Sequence, residues 1–210
     1  MCYQVRGQMN FPDYAGLRCY MMPFIQGRGE SLPDAYSGYS DVVDAFHLSG
    51  QAGHLGYITI DESIVDAGQS QRGYGVGRRS IHTEACLSDD RLSWGPAPTW
   101  GASSYVRLDT DLRVLIANSL HDTCMVWDTE VTATTVDGDL SFRSAEFPVE
   151  GGRSMASGEV MEIGIFTPHE CIPQKVSGPW QFFRIVGTGV HGRESYFTRN
   201  EKLEDLHGWG

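Results

Sequence analysis

Glycine and proline punctuate the apolar runs of this chain, and that spacing limits what it can fold into more than any other feature. The 25 glycines and 9 prolines are spread along 210 residues and are not gathered into a linker. A long helix would have to carry several of these residues in its interior, each at a cost of about 1 kcal/mol for glycine and about 3 kcal/mol for proline. Short strands joined by turns carry no such penalty. From residue 57 onward the pattern predicts eight of them: Tyr57–Ile60, Ser80–Leu87, Tyr105–Leu108, Leu112–Asn118, Cys124–Trp127, Leu140–Phe147, Val160–Phe166 and Gln181–Gly187. Turn signals separate them, at Gly-Tyr-Gly-Val-Gly (73–77), Gly-Pro-Ala-Pro (95–98), Asp-Gly-Asp (137–139), Gly-Gly (151–152) and Ser-Gly-Pro (177–179). An all-β or β-rich fold follows. Eight short strands are best accommodated by a double-stranded β-helix, the jelly-roll or cupin-like arrangement, which limits exposed edges by rolling one sheet onto another.

One segment breaks the pattern. Leu32–Leu48 places Val42, Val43, Phe46 and Leu48 where one helical face can collect them. Residues 1–56 are therefore expected to form an N-terminal helical extension packed on a barrel of residues 57–190. A polar tail, 191–210, completes one structural domain. With 40% hydrophobic and 11% aromatic residues against 20% charged, the chain has enough apolar surface to fold.

The formal net charge of −11 disfavours a nucleic-acid polymer as partner, because tracking phosphates needs clustered lysine and arginine. Arg72, Arg78 and Arg79 are close enough in sequence to make a local basic pocket for a small anion. No run approaches the roughly 20 apolar residues that span a bilayer, so no membrane partner is expected. The first residues carry no basic-then-apolar leader. Five cysteines, at 2, 19, 86, 124 and 171, are odd in number and contain no C-x-x-C pair, which argues against a disulfide framework and a thiolate zinc site. A reducing, cytoplasmic setting is the expectation. Nothing in the composition bears on oligomeric state.

Chemistry gathers first at Ser80-Ile81-His82-Thr83-Glu84-Ala85. On a strand, positions two apart share a face, so His82 and Glu84 stand side by side. An imidazole and a carboxylate supply two of the three ligands of the facial triad that holds non-haem Fe(II). Thr167-Pro168-His169-Glu170-Cys171 offers a third, His169, just past an apolar run. If Ser177-Gly178 makes a two-residue hairpin turn, position 169 faces 186, and Arg184 points into the same interior as His169. A buried arginine beside a metal suits a ligand with a carboxylate.

With His82, Glu84, His169 and Arg184 in hand, the sequence resembles the Fe(II)/2-oxoglutarate-dependent dioxygenases. That superfamily carries an H-x-D/E pair, a distal histidine and a basic residue on the following strand of a double-stranded β-helix. The likeness runs from His82 to Val186, with Glu84 standing where the family more often has aspartate. It implies iron held by His82, Glu84 and His169. It also implies 2-oxoglutarate gripped through its far carboxylate by Arg184 with a hydroxyl such as Tyr57 or Thr59, and hydroxylase-type oxidation of an unidentified small molecule or protein side chain. Two other readings stay open: a cupin-type metalloenzyme that does not use 2-oxoglutarate, and a non-catalytic jelly-roll binding or structural protein.

Other features are weaker. His121-Asp122 is a polar turn that could offer an alternative third ligand, while His47, His54, His191 and His207 have no partner at ligand spacing. The glycine-rich segment 73–77 lacks the G-x-x-x-x-G-K-[ST] pattern and leads into a strand, so a lid over His82 is the expectation there. No G-x-S-x-G elbow supports serine hydrolysis.

Overall fold

A computed structural model describes residues 1–71, 79–88, 91–94, 112–131, 138–187 and 197–203. Eleven strands are found among them: β1 (Tyr3–Gln8), β2 (Arg18–Ile25), β3 (Leu55–Val65), β4 (Ala85–Ser88), β5 (Arg91–Trp94), β6 (Arg113–Asn118), β7 (Cys124–Val126), β8 (Arg153–Ser154), β9 (Glu159–Gly164), β10 (His169–Cys171) and β11 (Gly178–Val186). One short helix, α1 (Ser40–Ala45), follows a 3-10 segment at Asp34–Tyr39.

Six strands make a large antiparallel sheet in the order β1-β9-β6-β11-β3-β2. A smaller sheet runs β10-β7-β8, and residue pairs extend it: His82 bridges His169 on one side and Asp139 on the other. Between these two sheets the chain alternates as it runs: β3 lies in the large one, the 81–83 segment in the small, β6 large, β7 and β8 small, β9 large, β10 small and β11 large. β4 and β5 pair separately as a hairpin.

Period-two alternation decides what each face of the large sheet carries. Ile58 and Ile60 of β3, Leu115 and Ala117 of β6, and Phe183 and Ile185 of β11 face one way, where they pack with Tyr39, Val42 and Val43 of the helical segment. Tyr57, Val114, Ile116 and Val186 face the other way and pack against Cys124 and Val126 of the small sheet and Met155 just past β8. The alternation also points Thr59 of β3 and Arg184 of β11, directly opposite each other in register, toward the small sheet. Met125 and Trp127 alternate to the outer side of the small sheet and meet Ile81, Leu140 and Phe147.

Several expectations need correction. Leu140–Phe147 is not a strand: Ser141–Glu146 forms a 3-10 segment, because Asp139 accepts hydrogen bonds from the Ser141 amide (2.7 Å) and hydroxyl (3.0 Å) and starts a helical turn. The expected hairpin turning at Ser177-Gly178, with position 169 opposite 186, is absent: Val186 of β11 pairs with Tyr57 and Val114, while His169 of β10 pairs with Val126 of β7. Residues 1–56 contribute two strands as well as the helical turns, and β1 and β2 form the two edges of the large sheet. The expected strand Tyr105–Leu108, and nearly all of the expected loops at 73–79 and 94–100, lie outside the described residues, as do Arg72, Arg78, His191 and His207.

Candidate functional site

A cavity of about 310 Å³ lies between the two sheets. The small sheet, with the segment at its edge, contributes His82, His169, Cys124 and Cys171 to its wall, and Glu84 follows just after that segment; the large sheet contributes Thr59, Ile116, Asn118 and Phe182. At its rim Arg18 pairs with Asp61 (3.2 Å), which also accepts hydrogen bonds from Ser63 and Gln71.

His82 and His169 exchange both backbone hydrogen bonds, each 2.9 Å long, and this places their imidazoles 4.1 Å apart, tilted by 58°. The segment bearing His82 is held from its other side too, where the Thr83 amide donates to Gly138 (3.0 Å) and the Leu140 amide to Ile81 (2.8 Å). Only glycine fits at 138. Its φ is +65°, and a Cβ there would sit 2.3 Å from the Thr83 carbonyl oxygen.

Both rings are oriented by the same device. Nδ1 of His82 lies 2.7 Å from the carbonyl of Ser80, and Nδ1 of His169 lies 3.0 Å from the carbonyl of Thr167. A carbonyl only accepts, so these contacts assign the proton to Nδ1 in each neutral ring and make Nε2 the lone-pair nitrogen. Nε2 of His169 stands 3.5 Å from Oε1 of Glu84. The other carboxylate oxygen, Oε2, accepts a 2.9 Å hydrogen bond from Nη1 of Arg184.

Arg184 has no exposed surface, so its charge is tolerable only because it is paired. Its Nη2 donates to Oγ1 of Thr59 at 3.1 Å and lies 3.4 Å from Sδ of Met21. Met21 reaches this side of the sheet through a bulge in β2: the register with β3 shifts between Cys19 and Met22, and Met21 takes a φ of +47°.

A second ion pair sits behind the histidines. Glu170, nearly buried, receives Nε of Arg79 at 2.7 and 2.8 Å, Nη2 at 2.6 Å, and the Ser80 amide at 3.1 Å. The Arg79 guanidinium also lies over the Trp127 ring, 5.5 Å from its centroid. Arg79 and Glu170 thus clamp the segment carrying His82 to the strand carrying His169.

Five of the six residues singled out from the sequence meet in this region: His82, Glu84, His169, Arg184 and Thr59. Tyr57 is one step further along β3, opposite Val186, with its ring 6.5 Å from that of Phe197 in the apolar core. His121 and Asp122 occupy an exposed turn between β6 and β7. There His121 accepts from the Ser157 amide, and Asp122 from the Ser154 hydroxyl. Sequence reasoning missed Met21, because a bulge reverses the alternation, and Asn118, the polar end of an apolar strand.

The residues suit a cation in their donor chemistry: two imidazoles with Nε2 as acceptor, and one carboxylate. Ligands about 2.1 Å from one ion stand about 3 Å apart when at right angles, near the 3.5 Å between His169 and Glu84. As the side chains stand, among the described residues no group of three or more His, Cys, Asp and Glu is arranged to hold a metal ion, and Glu84 is engaged by Arg184. The chain matches no family model and no curated protein.

Proposed function

We propose that the cavity is the site of an Fe(II)- and 2-oxoglutarate-dependent oxygenase of hydroxylase type. The observation that carries the reading is the meeting of His82, His169 and Glu84 in one cavity between two sheets, with the fully buried Arg184 hydrogen-bonded to Glu84 from behind its wall. The alternation of the chain between those sheets supports reading the fold as a double-stranded β-helix.

In this reading His82 and His169 present Nε2, and Glu84 its carboxylate, to the iron. Bound iron and 2-oxoglutarate would supply dioxygen activation and the electrons for it. Arg184 and the Thr59 hydroxyl provide the grip for the far carboxylate. Thr59 takes this part over Tyr57 because it is the hydroxyl in contact with Arg184.

Charge supports the pairing of metal with dianion. The buried Arg184 and Glu84 already cancel. A divalent cation alone would leave a double positive charge in a site shielded from water, whereas the cation together with a dicarboxylate keeps it neutral. Ile116 and Phe182 line the same space with apolar surface that keeps water from the reacting centre.

A second reading rests on the contact between Arg184 and Glu84. If the arginine serves only to orient the carboxylate, the site is that of a cupin-type metalloenzyme without the cosubstrate.

Anaerobic titration separates these. Fe(II) followed by 2-oxoglutarate is expected to develop a visible metal-to-ligand charge-transfer band. The double variant H82A/H169A should lose iron binding. R184K keeps a buried cation but loses the two-pronged fork, and should weaken 2-oxoglutarate binding about tenfold or more with iron still bound. Iron binding without the band would favour the second reading. Full iron affinity in H82A/H169A would remove both, leaving a non-catalytic module.

A further inference from the structure

Two cysteines face each other across the small sheet, outside the set of groups used above. Cys171 of β10 and Cys124 of β7 are direct partners in the antiparallel register. The hydrogen bonds on either side fix which kind of pair they make. Ile172 N–H donates to the Thr123 carbonyl (2.9 Å) and Trp127 N–H to the Pro168 carbonyl (3.1 Å), so 172 with 123 and 168 with 127 are hydrogen-bonded positions. Bonded and non-bonded pairs alternate along an antiparallel ladder, and Cys171 with Cys124 falls on a non-bonded position, where Cα atoms approach to about 4.5 Å and side chains lie closest. That is within the span a disulfide bridges, at its short end. Both residues line the cavity, and Cys171 is only half-buried, which gives a small oxidant access. Neither is in a disulfide.

We propose that Cys124 and Cys171 are a modification site: a dithiol that closes to a reversible cross-strand disulfide under a peroxide oxidant. In the first step the Cys171 thiolate attacks a peroxide oxygen. The O–O bond breaks, one water leaves after protonation, and Cys171 becomes a sulfenic acid. Sulfur of Cys124 then displaces the sulfenic oxygen, forming the S–S bond and releasing the second water. Two thiols and one hydrogen peroxide thus give one disulfide and two waters. A bridge at the short end of the allowed span is more easily reduced than a relaxed one, which makes the pair reversible. Cys19 also borders the cavity but belongs to the opposite sheet, and burial pushes its thiol up to about 12, so it stays protonated and inert. The bridge would form two residues from His169 and on the same face of β10, tying that strand to β7. The site rests on strand register and needs no metal.

The test uses the full chain, stripped of metal with a chelator and treated with one equivalent of hydrogen peroxide. Remaining thiols are alkylated and the protein is digested without reductant. The expected result is a species lighter by two hydrogens, one linked peptide pair joining Cys124 to Cys171, and its reversal by dithiothreitol. In C171S the linked pair should vanish while Cys2, Cys19 and Cys86 alkylate as in the unaltered chain. Mapping the unaltered chain stands alone should C171S fold poorly. Alkylation of both Cys124 and Cys171 after peroxide would overturn the proposal. So would linkage of either one to another cysteine, or Cys171 carried to a sulfinic acid with no link.

Discussion

At the scale of single residues, Arg184 is the strongest commitment in the molecule. A guanidinium with no exposed surface stands 2.9 Å from an almost equally buried carboxylate. Such a pair contributes little net stability over a well-packed apolar replacement, yet removing one partner strands the other as an uncompensated charge. Arg184→Met is therefore expected to cost about 3–5 kcal/mol, measured by urea unfolding in the presence of a chelator. The double variant R184M/E84M should recover most of that loss. A single variant as stable as the parent would mean that Glu84 does not depend on Arg184. The residues of this pair were legible in the sequence, Glu84 through its two-residue spacing from His82 and Arg184 through the apolar strand around it. Their contact was not, because nothing in the spacing says that β11 packs beside β3 with Arg184 opposite Thr59. Met21 was invisible for a different reason: strict alternation along β2 would send it to the helical face, and only the bulge brings it to Arg184.

At the scale of elements, the small sheet explains why part of the architecture could be read and part could not. Its strands are two or three residues long, too short for alternation to announce them. Besides the two backbone hydrogen bonds between His82 and His169, the ion pair of Arg79 and Glu170 joins the 81–83 segment to β10, and the sequence suggested a different use for Arg79, as one of a basic cluster for a small anion. Glu170→Gln retains shape but loses the charge that Arg79 and the Ser80 amide share. Hydrogen bonds to a charged group are worth about 1.5–3 kcal/mol, and Arg79 is partly exposed, so the lower end of that range is expected. The sharper readout is local. The His82 amide, which donates to His169, should exchange with deuterium faster in E170Q, while amides pairing β3 with β11 keep their parental rates. Uniform acceleration across both sheets would mean that Glu170 supports the fold as a whole. The 3-10 segment after Asp139 has a similar lesson. Apolar residues at 140, 142 and 147 suggest a strand, but Phe142 is exposed, and the Asp139 side chain competes successfully for the first turn.

For the molecule as a whole, the packing of the N-terminal segment on the large sheet sets its response to pH. Glu62 on β3 faces away from the cavity, toward the helical layer. Burial works against its ionisation, but the amides of Leu17 and Ala15, the Gln181 side chain and the Tyr39 hydroxyl all hydrogen-bond to it and hold its carboxyl below the ordinary 4.5. Glu159 behaves alike: burial opposes its charge, and Arg153 with the Ala156 amide more than offsets that. For both, the unfolded chain binds a proton at higher pH than the folded one. Their contribution is therefore complete above the ordinary carboxylate value of 4.5 and is lost as pH falls through the lower folded values. Tyr39 and Cys19 set the opposite limit, Cys19 because burial lifts its thiol from the ordinary 9.0 to about 12. Burial, with the Glu62 carboxylate that Tyr39 donates to, raises the Tyr39 phenol above the usual 10.0, so its contribution is present below pH 10.0 and fades as the unfolded chain begins to ionise there. A plot of melting temperature against pH should thus fall off below the ordinary carboxylate value of 4.5 and again above 9.0, where the unfolded chain begins to ionise Cys19 ahead of Tyr39. Glu62→Gln should lower the plateau and make the acid limb shallower, because one of the protons driving it is gone. Tyr39→Phe should lower the plateau as well and make the alkaline limb shallower, the rest of that limb belonging to Cys19. An acid limb of unchanged slope in E62Q would assign acid sensitivity to groups elsewhere in the chain.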